Sequence, residues 1–139
     1  MNDITTRADI DSLIRDFYTK VRADKYLGPI FNLVIQSDDI WEHHFEKLID
    51  FWDANLLKGA KYDGRPVGLH LWVDNLTQRK ITELHFETWL ALWHETIDEK
   101  FNGTCAELAK SRAVSMGDTF YAKIMDVRAQ IQERMKNAE

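Results

Sequence analysis

The sequence predicts an all-α fold. Apolar residues recur at spacings of three and four along nearly the whole chain, capping or chain-breaking residues bound each such stretch, and no run alternates with the period of a strand. The first helix carries Ile10, Leu13, Ile14, Phe17, Tyr18 and Val21 on one stripe, and Thr6 with Asp9 forms a capping-box pattern ahead of it. Gly28-Pro29 ends that pattern, and a short helical or irregular piece through Ile30, Phe31 and Asn32 leads to Asp38-Asp39, the expected cap of the next helix. That helix places Trp41, His44, Phe45, Leu48, Phe51, Trp52 and Leu56 on one side.

From Lys58 to Leu84 the pattern is broken by Gly59, Gly64, Pro66 and Gly68, so any helix there is short. Thr82 is the expected cap of a helix marked by Phe86, Trp89, Leu90, Trp93 and Ile97 and ending near Asn102-Gly103. The last helix is the longest. Leu108, Ala109, Ala113, Met116, Phe120, Ile124, Val127 and Ile131 form its stripe, and the small Ala109, Ala113 and Gly117 permit a neighbour to approach closely.

At 139 residues the chain reads as a single domain over 1–139, large enough to bury a core with room for a cofactor. Seven Phe, five Trp and four Tyr, 12% of the residues, exceed what a small helical core needs for packing alone. A net charge of -5 with no basic run argues against nucleic acid as a partner, since phosphate binding needs clustered Lys and Arg. The lone Cys105 allows neither an internal disulfide nor a thiolate zinc cage, and near a helix start it reads as incidental. No apolar run approaches the ~20 residues of a membrane span, and nothing at the start resembles a signal peptide. The expectation is a cytoplasmic protein, a monomer or weak dimer.

The histidines carry the chemistry. His43 and His44 are adjacent, so they point about 100° apart around a helix and cannot clamp one metal; His44 alone is in phase with Trp41 and Leu48. His70 closes Gly64-Arg65-Pro66-Val67-Gly68-Leu69-His70 in a different setting. A flat apolar cofactor such as haem needs a dry aromatic slot, one neutral imidazole for the metal and polar groups opposite, and His70, His44, Tyr18 and Trp89 supply those parts. Each has a plainer reading: Tyr18 and Trp89 as core packing with a satisfied polar tip, His70 as a solvated side chain, and His85 as a competing ligand that is better explained by helix packing or capping.

The ordered set Phe17-Tyr18, Leu27-Gly28-Pro29-Ile30-Phe31-Asn32, Trp41-x-x-His44, Phe51-Trp52, Tyr62-x-Gly64-x-Pro66-x-x-x-His70 and His85-Phe86-x-x-Trp89-Leu90-x-Leu92 resembles the truncated haemoglobins of the third group, which occur in bacteria. The likeness spans about residues 10 to 117, and the glycine pairs of the other two groups are missing. It implies a two-over-two helical sandwich around haem b, with His70 as the proximal iron ligand and Tyr18, His44 and Trp89 on the distal side. Phe31 is then the aromatic stacked on the porphyrin, Phe45 and Trp52 are further cofactor contacts, and Tyr62 and Arg65 are candidate partners of the propionates.

Dioxygen gains negative charge at such an iron and attracts hydrogen-bond donors. Three candidate donors exceed what reversible carriage requires, which favours ligand or redox chemistry, or sensing, with dioxygen, carbon monoxide, nitric oxide or peroxide over bulk transport. Peroxidase-like or nitric oxide dioxygenase-like activity is compatible with that set and requires an electron donor. Two other classes compete: an all-helical interaction module without haem, and a bundle carboxylate metalloprotein, for which matched Glu-x-x-His pairs on two helices are missing.

Overall fold

A computed structural model describes residues 1–59 and 81–137. Tyr62, Arg65 and His70 lie outside the described residues. The described residues form five helices joined by short non-helical segments: α1 Arg7–Ala23, α2 Gly28–Val34, α3 Asp38–Leu56, α4 Glu83–Lys100 and α5 Thr104–Asn137.

The capping box of α1 forms as the sequence predicts: the Thr6 hydroxyl accepts the Asp9 backbone N–H at 3.1 Å, and the Asp9 carboxylate accepts the N–H of Thr6 at 3.1 Å. Pro29 sits in the first turn of α2, where its missing N–H costs nothing. Gly28 is required there for space, since a Cβ would lie 2.6 Å from the Arg22 carbonyl oxygen. The cap of α3 differs from the expectation. Ser37, in extended conformation, is the N-cap and accepts the Ile40 N–H at 3.2 Å, while Asp38 and Asp39 occupy the first turn, where their charge favours the positive helix end. Thr82 caps α4, and the His85 ring completes the box by accepting the Thr82 N–H through Nδ1 at 2.9 Å.

Helix α1 packs on α2, α3 and α4, α4 packs on α5, and α3 touches α5. Two helix pairs, α1/α3 and α4/α5, are thereby laid one over the other. Their centre is aromatic: Phe17 meets Trp89 and Trp93 edge-on at 5.4 and 4.9 Å, and Trp93 stacks on Trp52 at 4.8 Å. The fully buried Trp93 donates its N–H to the Ala109 carbonyl, tying α4 to α5. Phe17 is 1% exposed, and its truncation to Ala should cost about 3–5 kcal/mol.

The buried stripe of α5 runs Ala106, Ala109, Ala113, Gly117, Phe120, Ile124. Leu108, expected on that stripe, is instead 36% exposed, because it lies one residue, about 100°, off the line through Ala109. The start of α5 is capped from the far end of the chain. Asp3 accepts the N–H groups of Cys105 and Ala106 at 2.9 and 2.8 Å, and Asn102 donates to the Asn2 carbonyl.

Candidate functional site

Helix α3 presents two faces where the sequence suggested one. Trp41, Phe45, Ile49 and Trp52 form a buried stripe, whereas His44, Leu48 and Phe51 form a second, half-buried stripe about 100° around the helix. Phe45, under the Arg15 guanidinium at 5.2 Å, and Trp52, stacked on Trp93, belong to the buried stripe. They pack in the core beside the face of His44, Phe45 also meeting Tyr18 at 6.0 Å. The division arises because α1 and α4 claim one side of α3. Ile49 and Asp53, which the helical stripe had omitted, are buried on that side, with Asp53 held by Arg7 at 2.9 Å.

His44 meets Tyr18 edge-on, with ring centroids 5.6 Å apart. His43 is exposed, as the 100° argument required. Tyr18 follows Phe17 on α1 and is 4% exposed; Phe31 of α2 packs against it at 5.6 Å. From α4, Trp89 brings its indole N–H beside the Tyr18 phenol. The structure therefore brings Tyr18, His44, Trp89 and Phe31 together from four helices, none adjacent in sequence to another.

Burial dominates the electrostatics of this cluster. It pushes the Tyr18 phenol up to about 12, and the bond from Trp89 offsets only part of that. The phenol thus stays protonated at any physiological pH. Its O–H is therefore kept as a hydrogen-bond donor. Trp41, one turn before His44, packs on both Tyr18 and His44, and its Nε1 is buried with no hydrogen-bond partner among the described residues. An orphaned donor of this kind costs about 1–3 kcal/mol. The stripe pattern alone assigns Trp41 no role, although the spacing Trp41-x-x-His44 places the two on one turn.

His85 is accounted for by its cap and stands apart from the cluster as a structural residue. Cys105 is half-buried; burial, with Asp3 adding to it, pushes its thiol up, so the positive helix end does not activate it. Among the described residues no group of three or more His, Cys, Asp or Glu could hold a bare metal ion, and no helix is long and apolar enough to cross a membrane.

These side chains fit a haem. Two N–H or O–H donors and an imidazole, gathered in otherwise apolar surroundings beside the half-buried Phe31, Leu48 and Phe51, match the donor set that a small ligand on a haem iron attracts.

A two-over-two helical sandwich with such a cluster facing its interior defines the globin class. No protein-family model matches the chain. It is 37% identical over 112 residues to the group 3 truncated hemoglobin ctb of Campylobacter jejuni subsp. jejuni serotype O:2 (strain ATCC 700819 / NCTC 11168), across 80% of this chain and 84% of that protein. It also matches the crystal structure of group III truncated hemoglobin from Campylobacter jejuni with a TM-score of 0.79 and 32% identity, over 89% of this chain and 95% of the other. The chain belongs to the group 3 truncated haemoglobins, and haem with its iron goes with that membership.

Proposed function

We propose that the protein binds haem b through His70 and uses Tyr18, Trp89 and His44 to hold dioxygen and related small ligands for ligand or redox chemistry, or sensing, in place of bulk transport. The observation that carries this is the convergence of those three polar side chains at one apolar site, with the phenol kept protonated. Haem held there would supply an iron, five-coordinate on this reading, able to take up dioxygen, carbon monoxide, nitric oxide or peroxide. Tyr18 donates its O–H toward the ligand, Trp89 stands beside the phenol, and the His44 ring closes the third side. Phe31 would flank the porphyrin, Tyr62 and Arg65 would serve its propionates, and redox turnover would require an external electron donor. Peroxidase-like and nitric oxide dioxygenase-like turnover are the activities to assay first.

Optical spectra of the ferric, ferrous and carbon monoxide forms test this directly. His70→Ala should abolish or greatly weaken haem retention, and haem should raise the thermal midpoint of the apoprotein, because a ligand of the native state alone stabilises it. Purified protein that takes up no haem would instead support an interaction module.

A further inference from the structure

Trp41 stands between the cluster at Tyr18 and an open surface cavity. On one side its ring centroid lies 5.8 Å from that of Tyr18 and 5.7 Å from that of His44. On the other it lines a cavity of about 470 Å³ where the ends of α1 and α2 meet the start of α3, together with Arg22, Asn32, Gln36 and Ser37. Two features describe how the ring is held. The Arg22 guanidinium lies over its face, 4.6 Å from the centroid. The indole Nε1 is buried and, among the described residues, has no hydrogen-bond partner. A satisfied indole must break a bond in order to swing outward. This one would gain a bond to water on reaching the cavity, so its closed position is held by packing and by Arg22.

We propose that Trp41 is a gate through which diatomic ligands pass between this cavity and the site beside Tyr18 and His44, with Arg22 as its latch. The proposal rests on the small-ligand reading above. Packed interiors offer few voids larger than a water molecule, so a ligand crosses such a wall only when a side chain moves aside. Trp41 belongs to both the wall and the cavity. A gate lies on the path and at neither end of it, so it alters arrival and departure by one factor and leaves affinity unchanged. A distal hydrogen-bond donor does the opposite, changing departure and affinity together.

The test is carbon monoxide rebinding after photolysis of the haem-loaded protein, paired with solvent exchange of the Trp41 indole N–H in the carbon monoxide form, read by NMR. Arg22→Met removes the cation and keeps the stem. It should raise carbon monoxide association and dissociation together, about two- to fivefold, and quicken indole exchange by a similar factor. Trp41→Ala should raise both rates further at unchanged affinity. Trp41→Phe, which keeps the ring under Arg22 without an orphaned N–H, should slow both rates relative to the parent. If Trp41→Ala loses haem through misfolding, the other two variants decide. Unchanged rates in both, with a normal carbon monoxide spectrum, overturn the gate and leave the haem reading standing. A parent protein without that spectrum overturns both.

Discussion

The ring of His44 stands edge-on to that of Tyr18 at 5.6 Å, and Trp89 of α4 brings its N–H beside the Tyr18 phenol. Three helices therefore meet around one phenol. Its O–H is the group best placed to donate to a ligand, with Trp89 beside it.

That arrangement orders the distal variants. Losing a charge-assisted bond from Tyr18 should cost about 1.5–3 kcal/mol, roughly a 10- to 150-fold faster oxygen dissociation in Tyr18→Phe. Trp89→Phe should act in the same direction, and the double variant should fall short of the sum, because the two groups are neighbours at one site. Carbon monoxide, which gains less charge, should respond much less. Stopped-flow dissociation rates check this; three variants within about twofold of the parent would refute the distal roles.

His85 gives a pH-dependent cap. Burial lowers its imidazole below the ordinary 6.5, against an opposing pull from Asp24, and its neutral Nδ1 accepts the Thr82 N–H. Because the unfolded chain binds that proton more readily, the cap's contribution is complete above about pH 6.5 and declines as pH falls below it. His85→Gln, which accepts without titrating, should remove this part of the acid loss in urea melts. His85→Ala should cost about 0.5–2 kcal/mol at neutral pH while leaving the haem spectrum nearly intact.

Asp3 makes the opposite kind of pH statement. Burial pushes its carboxyl up, but the N–H groups of Cys105, Ala106 and Ile4 together outweigh that and hold it below the usual 3.8. Its stabilisation is present above that value and disappears as pH falls through the lowered one. Asp3→Ala should lose about 1–2 kcal/mol at neutral pH by freeing the first N–H groups of α5. Gly103→Ala should cost a similar amount or more, since Gly103 has φ +146° and a Cβ would meet the Asp3 carboxyl at 2.4 Å. Chemical denaturation at pH 7 and pH 3 separates the two effects.

Gly117 should tolerate what Gly103 does not. It is buried in the middle of α5, yet a Cβ there would find only Leu90 and Phe86 side-chain carbons at 3.7 and 3.9 Å, ordinary contact distances. Gly117→Ala is expected to stabilise by about 0.4–1 kcal/mol through the unfolded chain. A lowered thermal midpoint would show that α4 and α5 pack more closely than these distances indicate.

Amino-acid order alone determined the features whose causes lie three or four residues apart. The Thr6–Asp9 box, the Thr82 cap, the stripe of α1 and most of that of α5 are all of this kind, because helix periodicity and capping are local. The ordered motifs further identified the family and with it the haem. Tertiary structure decided the rest. Which stripe of α3 faces the core, and so why Trp52 serves Trp93 while His44 serves Tyr18, depends on where α1 and α4 lie. The small difference that makes Ser37 the cap over Asp38 lies in backbone geometry, and Leu108 turns outward by one residue's rotation from the packed line. The bonds from Asp3 to Cys105 and Ala106 join residues more than a hundred positions apart, and no local pattern records a contact that exists only once α5 has docked.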